Sequence, residues 1–188
     1  MNEQSPVRWH TAIGATARCL LVSAGLLVRG RIRQPADAVG RRIRFANGTS
    51  ARVYRETRLA GATGDGPCTL VVAFRVRLLR GRWHALFRAV SVLNTPLFVG
   101  YPGFVGKLWL AADERGDYRG VYDWDGWQRA ESYARSLWRV LQLISVPGSI
   151  RYEVIPGVRR DEAMADPALL VRLGSVDGTA WWRLVGTS

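Results

Sequence analysis

The chain has 188 residues, 48% of them hydrophobic, which is enough to bury one sizeable core. Its formal net charge of +12 comes from 26 arginines and a single lysine scattered over every segment, the pattern of a solvated surface under arginine-rich codon usage rather than of one nucleic-acid patch. Two cysteines, Cys19 and Cys68, and two histidines, His10 and His84, are too few for a disulfide framework, a zinc site or a histidine-rich centre. No metal is therefore expected, and a reducing, cytoplasmic compartment is the default.

In chain order, residues 9–28 place Trp9, Ile13, Thr16, Leu20, Ala24 and Leu27 at helical spacing. Arg18 near the middle makes a bilayer crossing costly, and Arg29, Arg31 and Arg33 follow where a cleavable signal would need small residues. The sequence predicts a helix packed on the domain or on a partner subunit. A second reading is peripheral contact with the inner, anionic membrane surface through residues 9–33. Pro35 to Gly40 is a linker, and Asn47-Gly48 between two short apolar runs predicts a β-hairpin. A second hairpin is expected at the C-terminus, where Asp177-Gly178 separates residues 169–176 from 179–185.

Between these flanks, residues 69–78 alternate as a half-buried strand, and residues 83–93 form a helical pattern with Trp83 inward and His84 outward. A hairpin follows, with strands at 104–110 and 118–124. Strict alternation puts Phe104, Gly106, Leu108 and Leu110 with Tyr118, Gly120, Tyr122 and Trp124 on one face. It puts Val105, Lys107 and Trp109 with Arg119, Val121 and Asp123 on the other. Asp125 with Gln128 reads as a capping box for a helix whose buried stripe runs Trp127, Ala130, Ala134, Leu137, Leu141 and Ile144, stopped by Pro147 and Gly148. Residues 149–156 make a fourth strand. The order βαββαβ gives an α+β, ferredoxin-like antiparallel sheet with two helices on one face. The expected division is an N-terminal helix (1–34), a linker and hairpin (35–68), the ferredoxin-like domain (69–157) and a C-terminal extension (158–188).

Gly106 and Gly120, on adjacent strands of the helix-facing side, would leave a space bordered by Trp83, Tyr122, Trp124 and Tyr133, the makings of a small apolar ligand pocket. The alternative is that Trp138 fills it. Lys107 is expected on the opposite, mixed face near Asp123 and Glu153, either as an ion pair in a dimer interface or as an amine of tunable pKa. His84 is a weak candidate for a general base because its register points it outward. RNA-recognition modules share the strand order, but they read with aromatics on the helix-free face, where this chain has Val121 and Asp123, so no nucleic-acid partner is expected. That mixed face, with Trp109 and Val121 among charges, should be covered by a partner sheet or by the chain's own extra hairpins.

Pro102-Gly103-Phe104, Lys107, Trp109, Gly120, Tyr122, Ala130 and Tyr133 resemble the PGF-x-x-K-x-W, G-x-Y and A-x-x-Y pattern of the YdhR-type monooxygenases of the dimeric α+β barrel superfamily. The match covers residues 69–157. The resemblance implies a homodimer that binds a small aromatic or lipophilic molecule and oxidises an electron-rich phenol without a cofactor. Lys107, Tyr122 and His84 are the candidate catalytic groups. Haem-degrading relatives use a first-strand Asn and a helix His; this first strand has no Asn, so haem chemistry is not carried over. The alternative is a non-catalytic ligand-binding, dimerisation or membrane-associated protein.

Overall fold

Alternating strands dominate the chain from residue 32 onward, and all of them join one sheet. The computed structural model describes residues 9–62, 66–77, 95–96, 98–172 and 180–188. The elements are α1 (Trp9–Val28), β1 (Ile32–Arg33), β2 (Arg42–Phe45), β3 (Ser50–Leu59), β4 (Pro67–Phe74), β5 (Phe104–Leu110), β6 (Tyr118–Asp125), α2 (Trp127–Gln142), β7 (Arg151–Pro156), α3 (Arg160–Ala165), α4 (Ala168–Arg172) and β8 (Leu184–Thr187). The sheet runs β7-β4-β6-β5-β3-β2-β8, with β1 also paired to β3, and every pairing is antiparallel. Its first four strands, β7-β4-β6-β5, have the ferredoxin-like order, with α2 crossing from β6 to β7. The class is α+β, as predicted. The helix expected over 83–93, with Trp83 and His84, lies outside the described residues.

The Asn47-Gly48 hairpin forms as the sequence predicts. Gly48 takes a φ of +81°, and Asn47 Oδ1 accepts from the Thr49 N–H at 3.2 Å and from its hydroxyl at 2.8 Å. The C-terminal hairpin does not. Residues 168–172 are helical: Asp166 Oδ1 accepts from the Ala168 N–H at 3.1 Å, and Arg172 closes onto Asp166 at 2.6 Å. An Asp-Pro start favours a helix over the strand read from alternation. Strand β8 then pairs with β2 from the other end of the chain, and Asp177-Gly178 falls outside the described residues.

The capping box at Asp125 is also overturned. Gly126 is the N-cap of α2, at φ +94° and without a side-chain cap. Asp125 instead accepts from the Gly66 N–H at 3.1 Å and pairs with Arg129 at 2.9 Å. The buried face of α2 is Ala130, Tyr133, Ala134, Ser136 and Leu141, so Trp127 and Ile144 of the expected stripe are exposed. The Glu131–Arg135 pair forms at 2.7 Å.

Both faces of the sheet are covered. On one lie α1, α2 and an aromatic cluster that includes Phe98, Phe104, Trp109, Tyr122, Trp124, Tyr133 and Tyr152. On the other, Val71, Leu108, Leu110, Val121 and Ile155 pack against Val158, Ala163, Met164, Leu170 and Leu184. The cover expected over the helix-free face therefore comes from the chain's own C-terminal segment. Burial of this kind stabilises by about 25 cal/mol per Å² of apolar surface removed from water.

A bulge decides which residues share a face. In β5, Phe104 pairs with Trp124 but Gly106 pairs with Asp123, so Val105 is an extra residue. Beyond it the alternation is inverted: Lys107 and Trp109 face the helices, while Gly106, Leu108 and Leu110 face the C-terminal segment. This corrects the prediction for every β5 residue after Val105. A second irregularity, between Val53 and Arg55 of β3, sets Tyr54 and Arg55 beside Trp109.

Candidate ligand cavity

Between the sheet and the C-terminal half of α2 lies a cavity of about 210 Å³. The sheet supplies Tyr54, Phe74, Lys107, Trp109, Tyr118, Gly120 and Tyr122; α2 and the residues after it supply Tyr133, Leu137, Val140, Leu141, Leu143 and Ile144; Phe98 closes one side. Leu110 and Arg119 also reach the lining, which is aromatic and aliphatic except for the Lys107 amine, the Arg119 side chain and the tyrosine hydroxyls. That is the composition of a small-molecule site, and its volume falls below the roughly 300–1,000 Å³ of drug-sized pockets.

Gly120 makes part of this arrangement. A Cβ there would lie 2.7 Å from Tyr122 Cε2 and 3.2 Å from Lys107 Cε. The Tyr122 ring and the lysine stem thus occupy the room that a side chain would take. Trp109 is fixed by its indole N–H, which donates to Thr57 Oγ1 at 3.1 Å. Its ring carries Lys107 Nζ at 3.2 Å from the centroid and the Arg55 guanidinium at 3.9 Å. Lys107 Nζ also lies 4.6 Å from the Phe98 centroid and 4.7 Å from that of Tyr122. The Tyr122 and Tyr133 hydroxyls meet at 3.3 Å.

Among the described residues no carboxylate pairs with Lys107. Burial first, and then the Arg55 charge, push its amine well below the ordinary lysine value. Burial likewise pushes the Tyr122 and Tyr133 phenols up, so both stay protonated donors at neutral pH. The site therefore holds an amine weakened as a cation by burial, beside two hydroxyl donors in largely apolar walls.

The predicted pocket residues divide accordingly. Gly120, Tyr122 and Tyr133 line the cavity. Trp124 stands one layer behind, fully buried, with its ring 5.0 Å from Tyr133 and 5.7 Å from Phe104. Gly106 lies on the opposite face, where a Cβ would meet Thr57 O at 3.4 Å and Arg160 Nη1 at 3.5 Å. Trp138 does not fill the gap; it packs edge-on against Tyr152 with centroids 5.9 Å apart. Lys107, assigned by alternation to the mixed face, is in the cavity, and Asp123 on that face meets Arg159 at 3.4 Å instead. Alternation also misses Trp109, Tyr54 and Phe98 as lining residues. A glycine inside a strand is a bulge signal, and Gly106 was the clue.

Gly103, which resembles the middle of a PGF motif, has a structural task. It sits at φ +83°, a Cβ would come within 2.5 Å of Asp125 O, and its carbonyl accepts from the Asp125 N–H at 2.7 Å.

No protein-family model matches the chain. No curated protein matches it either. Two solved structures are similar in part. One is an uncharacterized ferredoxin fold protein related to antibiotic biosynthesis monooxygenases from Listeria monocytogenes 4b F2365, with 14% identity, a TM-score of 0.42 and coverage of 58% of this chain and 64% of that one. The other is a monooxygenase-like protein from Listeria innocua, with 15% identity, a TM-score of 0.41 and coverage of 59% and 66%. The chain thus spans somewhat under two thirds of each neighbour's length. Likeness at this level carries no function, which rests on the cavity's own residues.

On the far side of the aromatic cluster, α1 packs through Cys19 and Ser23. Both donate to the Pro96 carbonyl, at 3.2 and 2.8 Å. Leu21, Leu27 and Val28 of α1 are exposed, as is Arg18. No helix among the described residues is long and apolar enough to cross a membrane.

Proposed function

We propose that the cavity binds a small aromatic or lipophilic molecule and that the chain is a YdhR-like, cofactor-independent monooxygenase acting on an electron-rich phenol or its keto tautomer. The observation that carries this reading is the buried Lys107 amine, with no carboxylate partner among the described residues, set in an aromatic wall beside the Tyr122–Tyr133 hydroxyl pair. A substrate that supplies its own electrons needs a base to expose them. Lys107 takes the acidic proton, the resulting carbanion or phenolate reduces oxygen, and the new carbon–oxygen bond forms as a hydroperoxide. The hydroperoxide loses water to leave a ketone or quinone, so one oxygen atom enters the product and the other leaves as water. The tyrosine hydroxyls donate to the oxyanion, and the apolar walls keep water from it.

Oxygen uptake with an anthrone and naphthol panel tests this. Lys107→Met and Gly120→Val should each abolish uptake while far-UV dichroism stays native. A parent protein that binds the panel but consumes no oxygen would leave the non-catalytic ligand-binding alternative as the better one.

Two further elements belong to the proposal. The exposed Leu21, Leu27 and Val28 beside arginines support peripheral attachment of residues 9–33 to the cytoplasmic, anionic membrane face. Flotation on anionic vesicles should be lost on deleting residues 1–33, and equal flotation would discard the attachment. A homodimer would join through surfaces other than the helix-free sheet face, which the C-terminal segment occupies; light scattering at micromolar concentration checks for it.

A further inference from the structure

We propose that Lys107 is an imine-forming amine, and that the cavity takes an aromatic aldehyde or ketone and holds it as a Schiff base on Nζ. This rests on the cavity reading above and names a ligand class for it.

Four observations converge. Two buried cations elsewhere in the fold meet a carboxylate: Arg119 with Asp113 at 2.6 Å, and Arg160 with Glu56 at 2.9 Å. Lys107 has no such partner among the described residues, and its amine lies over the Trp109, Phe98 and Tyr122 rings at the cavity wall. A carboxylate would hold the amine protonated; here burial and then the Arg55 charge favour the neutral form against the pull of the ring faces on a cation, which leaves a lone pair to attack carbon.

The second observation is compositional. A chain with 26 arginines uses lysine once, at this wall. A site needing a fixed positive charge is served by arginine, whereas attack on a carbonyl requires an amine that can be neutral. Third, the missing side chain at Gly120 lets the Tyr122 ring and the Lys107 stem close over it, where a Cβ would sit 2.7 Å from Tyr122 Cε2 and 3.2 Å from Lys107 Cε, and so seats the amine at the cavity wall. Fourth, the Tyr122 and Tyr133 hydroxyls supply acid groups on the same wall.

The step balances without an oxidant. Nζ adds to the carbonyl carbon, and the oxygen takes up a proton to give a carbinolamine. A tyrosine hydroxyl protonates the departing hydroxyl, water leaves as the C=N bond forms, and the nitrogen's remaining proton returns to the tyrosine oxygen. Amine and carbonyl become imine and water.

The test uses the full chain with 6-methoxy-2-naphthaldehyde and cyanoborohydride at about pH 7, read by intact mass and peptide mapping. With a single lysine, the adduct has two amine addresses, Lys107 and the N-terminus. The expected result is one saturable, reduced adduct on the Lys107 peptide. It should form about tenfold or more faster than on Nα-acetyl-lysine, because a free-base amine is more abundant than in an ordinary lysine. It should be competed by 2-naphthol and absent in Lys107→Arg. Gly120→Ala keeps the amine but crowds it and should slow labelling, which preserves the test if Lys107→Arg does not fold. Labelling confined to the N-terminus, or at the free-lysine rate, overturns the proposal. If 2-naphthol still quenches tryptophan fluorescence in that case, the cavity reading survives; if 2-naphthol does not bind, both fall.

Discussion

The two faces of the sheet treat buried charge in opposite ways. On the C-terminal side, Glu56 is fully buried yet meets Arg58 and Arg160, and Arg119 meets Asp113 with both side chains sealed from solvent. Aliphatic residues fill the remaining space. On the helix side the walls are aromatic, a cavity of about 210 Å³ is left open, and the lysine beside it has no carboxylate partner among the described residues. Paired charges in close packing hold a fold together. A buried amine without such a partner, beside empty space, costs stability and is available for chemistry.

The largest effect that would break this contrast is at Glu56. Glu56→Ala leaves Arg160 buried with only the half-exposed Asp161, 2.8 Å away, as its partner. It should cost about 3–5 kcal/mol of stability in urea unfolding, the range for orphaning a buried charge. A loss under 1 kcal/mol would mean the network is wetter than the contacts imply. Next, the two strand glycines should separate. Gly120→Ala drives a Cβ to 2.7 Å from the Tyr122 ring and should cost about 1–3 kcal/mol as an overpacked position, with loss of ligand binding. Gly106→Ala meets nothing closer than 3.4 Å and should leave ligand binding at the parent level. Equal effects on binding would refute the inverted register of β5.

A smaller signature is in the pH dependence. Because the folded-state pKa of Lys107 lies below its unfolded value near 10.5, the unfolded chain binds a proton that the native chain does not throughout the interval between them. Stability therefore rises with pH across that interval, by up to about 1.4 kcal/mol per unit, and is lost as pH falls toward the folded-state pKa. Unfolding free energies of the parent minus those of Lys107→Met, taken at several pH values, isolate this slope from the tyrosines and from the buried Cys68 thiol, which is itself pushed up to about 12. A flat difference would show that Lys107 is charged and solvated. In the same experiment Lys107→Met at neutral pH should raise stability, because folding the parent strips a proton from this lysine and folding the variant does not.

Much of this architecture is legible in the chain itself. Period-two alternation locates β4, β5, β6 and β7, Asn47-Gly48 fixes a hairpin, and aromatic residues spaced two apart on β6 mark Tyr122 and its neighbours as one face. These signals are local, because side-chain direction in a strand and positive φ at a turn depend on the next two or three residues. The capping of α2 was not legible, since Asp125 is drawn to the Gly66 N–H, a partner 59 positions away in sequence.

The residue types, the strand order of the central four strands and the presence of a lone lysine among aromatics are properties of the sequence alone. Which side of the sheet that lysine occupies is not. One extra residue at Val105 inverts every side chain after it, and alternation is blind to a bulge because a bulge is defined by the partner strand's register. Tertiary pairing of β5 with β6 thus moved Lys107 from an expected ion pair into a cavity, and packing of the C-terminal helices onto Leu108, Leu110 and Val121 supplied the apolar partners that make this register the favourable one.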